Sequence, residues 1–301
     1  MRTAAKSPSQ GLVFLILAQT MVGINIVASK VLLASLPIFF LLFIRFTLAT
    51  LILLALHWLT YLKEATPLSY FFSELKRKDW LFILAQALSA GVLFNCLMLL
   101  GLHYTDANVA GIITSTLPAM IAILSWIFLG ERIAGKQGLC IFFATMGLMT
   151  IAYGKLSGTQ VIHSFVGDII ILFSLLPEAA YYVLSRAYPN RLPVFLISAL
   201  MNGINAMLTL PLGILFYLQT PTFDLTTWII MFILGLSSGL FYVFWYFGCQ
   251  QVDGVLASLS TAAMPLATVI LAFAILGEQL TLQQGLGMLL VLFSIVLYAR
   301  K

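Results

Sequence analysis

Residues 11 to 299 fall into a succession of apolar runs about twenty residues long, separated by breaks too short to fold alone. The runs lie at 11–34, 38–62, 80–102, 107–129 and 134–153, then at 166–187, 193–218, 226–249, 254–276 and 281–299. A bilayer core about 30 Å thick is crossed by roughly 20 apolar residues in a helix. Within hydrocarbon every backbone amide must be bonded inside the chain, so the runs are predicted to be helices. Punctuation falls where it should: Pro37, the stretch Lys63–Asp79, Tyr104–Thr105–Asp106, Gly130–Glu131–Arg132 and Gly154–His163 in the first half. Pro189–Asn190–Arg191, Thr220–Pro221, Gln250–Asp253 and Gly277–Glu278 follow in the second.

Composition supports the same reading. Hydrophobic residues make up 62% of the 301 and charged residues only 8%, with a mean hydropathy of +1.08. A soluble domain carries about 25% charged residues, and so few charges cannot cover a water-facing surface. The first run exceeds the 7–15-residue core of a signal peptide and lacks a small-x-small exit, so it is read as a retained helix. Cys96, Cys140 and Cys249 all lie inside apolar runs, an arrangement of packing thiols. There is no C-x-x-C pair or His/Cys cluster, so no metal and no cofactor are expected.

The net charge of +5 is explained by its placement. With the N-terminus inside, 12 of the 15 Lys and Arg fall on the cytoplasmic side, Lys30 and Lys155 lie outside, and Arg45 sits within a span. Both termini are expected in the cytoplasm of a bacterial-type inner (plasma) membrane. Topogenic signals and contact with anionic lipid headgroups account for the basic excess, so no nucleic-acid partner is expected.

Comparing the chain with itself reveals a repeat. A shift of 147 residues places Phe94–Met149 on Phe241–Val296, aligning Gly101 with Gly248, Asp106 with Asp253 and Pro118 with Pro265. Leu129–Gly130–Glu131 falls on Leu276–Gly277–Glu278, and Gln137–Gly138 on Gln284–Gly285. Towards the front a shift of 156 aligns Gly11 with Gly167, Ser29–Lys30 with Ser185–Arg186, and Pro37 with Pro193. The chain therefore divides into 1–153 and 154–301, five helices each. Five is odd, so the second copy enters the membrane from the opposite side. The expected fold is all-α, ten transmembrane helices as two inverted repeats around a central cavity. Inverted repeats place a solute site at their interface near the midplane.

Two five-helix halves, Leu129–Gly130–Glu131 and Leu276–Gly277–Glu278 closing the fourth and ninth helices, and Arg45–Phe46 in the second resemble the EamA branch of the drug/metabolite transporter superfamily. The resemblance covers nearly the whole chain. It implies the ten-helix inverted-repeat fold and export or exchange of amino acids and other small metabolites. The Arg45 position maps near Met201 in the second half, so a charged role there is unique to the first.

Charges within spans are costly and mark functional candidates. Glu178 lies mid-span after Pro177, which frees a carbonyl and kinks a helix. It is a candidate for proton coupling or cation binding, with a helix-to-helix contact as the alternative. Arg45 is a candidate anchor for a carboxylate, or a structural partner of Glu178. Ser198, Asn202 and Asn205 share one face of the seventh span, and Tyr242, Trp245 and Tyr246 one face of the eighth. Asn95 matches Tyr242 across the repeat, Asn25 leads a polar face with Ser29 on the first span, and Tyr182 follows Glu178 by one turn. These eleven positions are the expected solute lining, against the alternative of ordinary interhelical hydrogen bonding. Asp106 and Asp253 read as N-caps, Glu131 and Glu278 as acidic residues favouring a helix N-terminus, Asp168 as an interfacial cap, and Lys30 as a snorkelling cation.

The leading expectation is a secondary transporter of small solutes, with protons as a candidate coupling ion, since no G-x-x-x-x-G-K-[ST] loop provides for ATP. The alternatives are an intramembrane lipid-modifying enzyme and a non-transporting scaffold or receptor. The absence of H-E-x-x-H and G-x-S-x-G weighs against the enzyme, and the short loops weigh against the scaffold.

Overall fold

The apolar runs coil because the helix is the one arrangement that closes all backbone bonds locally. A computed structural model of the chain describes residues 8–61, 68–73, 75–130, 161–188, 192–217, 223–252, 260–261 and 263–299, with a few isolated positions between them. All its regular elements are helical: α1 Pro8–Leu32, α2 Ile38–Tyr61, the short α3 Leu68–Ser73, α4 Arg77–Tyr104 and α5 Ala107–Leu129. They continue with α6 Val161–Ala187, α7 Val194–Tyr217, α8 Leu225–Cys249, α9 Ala263–Leu276 and α10 Leu282–Ala299.

Seven of these contain stretches long and apolar enough to cross a membrane: α1, α2, α4, α5, α6, α7 and α8. The chain is thus an all-helical integral membrane protein. Against the ten expected spans, the ninth is described only over the shorter Ala263–Leu276, the tenth is a helix, Leu282–Ala299, that is not among the seven, and the fifth, 134–153, lies largely outside the described residues. The roles expected of Glu131 and Asp253 also lie outside them. Large apolar side chains such as Leu51, Met207 and Ile270 stay exposed, as a lipid-facing surface requires.

Two helices depart from regular winding. In α4 one π-helical turn spans Leu88–Leu93, and α9 ends in another, Ala272–Leu276. In α5 the regular winding breaks at Ser115–Thr116, just before Pro118. Both α5 and α9 terminate on a glycine in the left-handed conformation, Gly130 at φ 67° and Gly277 at φ 68°. That backbone favours a residue without a Cβ.

The bundle is organised by a few close pairs: α2 with α7, α1 with α8, and α4 with α6. Around these, α1 meets α9, α6 meets α5, α2 meets α8, α7 meets α4, and α5 meets α9. Two crossings are glycine contacts. A Cβ on Gly11 would lie 3.3 Å from the Gly248 carbonyl oxygen, and one on Gly248 would lie 3.1 Å from that of Gly11. A Cβ on Gly101 would lie 2.9 Å from the Gly167 carbonyl oxygen, and one on Gly167 would lie 2.8 Å from that of Gly101. Backbones approach this closely only where side chains are absent.

Polar links tie the helix ends. Lys30 Nζ donates to the carbonyls of Leu102 and Thr105, each at 2.6 Å. The expected snorkelling cation is thus a cap on the α4 C-terminus, where exposed carbonyls attract positive charge. Thr105 Oγ1 donates to Asp168 Oδ1 at 2.7 Å, joining α4 to α6. Asp106 occupies the N-cap position of α5, but its side chain makes no capping bond. The carboxylate of Glu278 takes that role: Ala107 N donates to Oε1 at 3.1 Å and Asn108 N to Oε2 at 2.8 Å. The acid favours a helix N-terminus, as its charge requires, but that of α5. At the other end of α4 the Tyr188 hydroxyl donates to Asp79 Oδ1.

Candidate functional site

Five helices turn polar side chains toward one small cavity of about 30 Å³. That volume holds roughly two waters, since one needs about 10–15 Å³ of such space. Its wall includes Asn25 from α1, Arg45 from α2, Asn95 from α4, Glu178 from α6, and Ser238 and Tyr242 from α8. Val22, Ala90, Phe94 and Phe241 complete it with apolar surface.

The two charges define its chemistry. Arg45 is 2% exposed and Glu178 is 1% exposed. Arg45 Nη1 donates to Asn25 Oδ1 at a long 3.4 Å, its guanidinium carbon lies 4.8 Å from the centre of the Phe46 ring, and its Nε has no hydrogen-bond partner among the described residues. Neither oxygen of Glu178 has a hydrogen-bond partner among the described residues. The hydroxyl of Tyr182 approaches the carboxyl closely enough to interact with it, short of hydrogen-bond geometry, and Tyr242 also lies within its electrostatic reach. Burying an ionisable group without hydrogen-bond partners is unfavourable, and both side chains bring such atoms to one cavity.

Local sequence explains why the wall is open here. Pro177 lies inside α6 and removes the amide that would bind the Phe173 carbonyl, one turn from Glu178. The π-turn of α4 is held by two asparagines. Asn95 Nδ2 donates to the carbonyls of Ala90 at 3.0 Å and Gly91 at 2.7 Å, while Asn205 Oδ1 accepts from Val92 N at 3.1 Å. The Asn205 amide fills the space beside Gly91, where an added Cβ would lie 1.9 Å from its Nδ2. π-turns recur at functional sites because they leave backbone groups available.

Of the eleven predicted lining residues, the structure brings Asn25, Arg45, Asn95, Glu178 and Tyr242 onto this cavity. The other six do not line it. Asn202 Oδ1 accepts from Ser238 Oγ at 3.3 Å, and Asn202 Nδ2 donates to the Ser198 carbonyl at 2.9 Å. Asn205 is committed to α4 as described. Trp245 packs edge-on against Tyr182, ring centres 4.5 Å apart, and the Tyr246 hydroxyl donates to Gln86 Oε1 at 3.2 Å. Ser198, Asn202 and Asn205 have no exposed surface.

The chain matches the family model of the EamA-like transporter family twice, over residues 9–153 and 165–300. The chain belongs to the EamA-like transporter family. Among curated proteins it is 27% identical over 285 residues to the uncharacterized transporter YetK of Bacillus subtilis, covering 92% of this chain and 83% of that protein. It is 26% identical over 232 residues to an uncharacterized transporter of Archaeoglobus fulgidus, covering 76% and 80%. A solved crystal structure superposes with a TM-score of 0.67 at 19% identity, covering 97% of this chain and 96% of the other, which is a likeness of fold.

Within this EamA-like chain, sequence reading missed Gln19, Ser238 and Tyr181. Ser238 is one turn before Tyr242 on the same helix face and extends the stripe already seen. Gln19 is a single amide in mid-span, fully buried, with its Nε2 donating to the Tyr182 hydroxyl oxygen at 3.0 Å. A lone mid-span glutamine was the available signal.

Proposed function

We propose that this protein is a secondary transporter that moves amino acids or related small metabolites across an inner membrane by alternating access, as an exporter or exchanger. The observation that carries the reading is the pair of buried charges, Arg45 and Glu178, whose unsatisfied atoms share one cavity. Arg45 offers a guanidinium to a carboxylate. Glu178 takes either the ammonium group of the solute or a proton, and is the coupling group. Asn25, Asn95 and Tyr242 orient the solute at the cavity, and Tyr182, Ser198, Asn202, Asn205, Trp245 and Tyr246 form its surroundings on the path in or out.

The architecture we propose is ten transmembrane helices in two inverted halves, 1–153 and 154–301, with both termini cytoplasmic. The two family matches fall one on each half. The helix pairs support it too. Exchanging α1 with α6, α2 with α7, α4 with α8 and α5 with α9 turns the α1–α8 contact into α6–α4, and α1–α9 into α6–α5. The glycine crossings follow the same exchange, since Gly11 and Gly248 are the repeat partners of Gly167 and Gly101.

The test is uptake into proteoliposomes under an imposed proton gradient, with a panel of labelled neutral, acidic and basic amino acids chosen after a thermal-shift screen of metabolites. Uptake of at least one solute, driven by a proton gradient and lost in Glu178→Gln, is the expected result. Uptake whose proton coupling is unchanged in Glu178→Gln removes Glu178 from that role.

A further inference from the structure

A hydrogen bond from α1 reaches the Tyr182 hydroxyl, one turn along α6 from Glu178. Gln19 Nε2 donates to the Tyr182 hydroxyl oxygen at 3.0 Å, and Gln19 Oε1 is buried without a partner among the described residues. Turning the amide over would instead leave an NH2 group buried without that acceptor. An under-satisfied carbonyl is the more tolerable omission, so the donating orientation is the stable one.

A phenol oxygen that accepts from Gln19 keeps its own proton to give. One turn earlier on the same helix face stands Glu178, both oxygens unpartnered and in reach of Tyr182. The ring itself is held, edge-on to Trp245 at 4.5 Å and to Tyr181 at 5.4 Å. The O–H rotor is the freedom that remains, and Gln19 occupies one side of it.

We propose that Gln19 is a positioning residue for Glu178: by donating to the Tyr182 oxygen it turns the phenolic proton onto the Glu178 carboxylate, and so sets how readily that carboxylate takes up a proton or a cationic group. The inference rests on the reading of Glu178 as the coupling group and adds the device that tunes it. Hydrogen bonds to a carboxylate favour its charged form. Among the described residues the other charged or titratable groups around Glu178 and Tyr182 include Arg45 from α2 and Tyr242 from α8, with Cys96 of α4 beside Arg45 and Cys249 of α8 within electrostatic reach of Tyr182. From α1 come the amides of Gln19, on Tyr182, and Asn25, on Arg45, which do not titrate.

The experiment is an infrared titration of the full-length protein in lipid, following the carboxyl C=O band that disappears in Glu178→Gln. Gln19→Leu, the closer isostere Gln19→Met, Tyr182→Phe and the double variant Gln19→Leu/Tyr182→Phe are compared with the wild type, each retained only with a cooperative thermal transition. The expected result is an alkaline displacement of the band's midpoint by about one pH unit, a tenfold change in proton affinity, in both Gln19 variants and in Tyr182→Phe. The double variant moves no further than Tyr182→Phe, because Gln19 acts through the phenol. An unchanged midpoint in the folded Gln19 variants, an additive double variant, or no titrating Glu178 band in the wild type overturns the proposal. No transport is measured, so failure here is distinct from failure of Glu178 as the coupling group, which proton-driven uptake reads.

Discussion

Arg45 and Glu178 are ionisable side chains with almost no exposed surface, and each has atoms without a hydrogen-bond partner among the described residues. A hydrogen bond to a charged group contributes about 1.5–3 kcal/mol. Arg45→Gln is therefore expected to raise the half-saturation concentration of a carboxylate solute about tenfold or more in counterflow, while the protein still inserts and folds. The sequence made these two residues visible because ionisable groups in apolar runs are rare. It also showed Asn25, Asn95 and Tyr242 as polar interruptions. What periodicity could not tell is where a polar group spends its bonds. Asn205 and Asn95 look alike along the chain, yet Asn205 supports the α4 π-turn while Asn95 does so and also lines the cavity. A π-turn leaves no mark in an apolar sequence, so the partner of an amide next to one is invisible there. Gly91→Ala reads this directly: the added methyl displaces Asn205, and a loss of about 1–3 kcal/mol in stability is expected from unfolding in detergent.

Helix ends behaved differently. Gly130 and Gly277 were legible as terminators because the repeat placed them together, and both have the left-handed backbone that a Cβ opposes. The acid that follows each was legible as a residue for a helix N-terminus, but the identity of that helix was not, since it is set by tertiary packing. Glu278 caps α5, which lies 170 residues away along the chain. Glu278→Ala removes an acceptor from two backbone amides and is expected to cost about 1 kcal/mol, seen as a lower thermal midpoint. Asp224 caps the start of α8 by accepting from the backbone N–H and hydroxyl of Thr227. The hydroxyl bond foremost, and then the backbone bond, hold its carboxyl below the usual carboxylate range. A group depressed on folding stabilises above its unfolded value and loses that effect as pH falls through its lowered one. Asp224→Ala is thus expected to lower the thermal midpoint at neutral pH and to leave it unchanged in strong acid.

At the scale of the molecule, low charge and twenty-residue runs were enough to identify an all-helical membrane protein, and the ordered recurrence of short motifs identified its family. The physical reason is that the bilayer permits few folds, so hydropathy alone restricts the choice. The spatial arrangement of the halves was less accessible, because apolar helix faces carry little pairing information. Glycine is the exception, since a side chain's absence decides where backbones meet. Gly101→Leu and Gly248→Leu are each expected to destabilise the bundle by at least about 1–3 kcal/mol, as overpacking at a tight crossing does.

The central claim is that the two halves are upside-down copies, and it is read most directly from the side on which matched helix ends emerge. Leu129→Cys and Leu280→Cys, made in a cysteine-free background in intact cells, report the ends of α5 and α9 to a membrane-impermeant maleimide. Labelling of position 280 from outside, with position 129 reached only after permeabilisation, is the predicted result. Labelling of both from the same side would contradict the account.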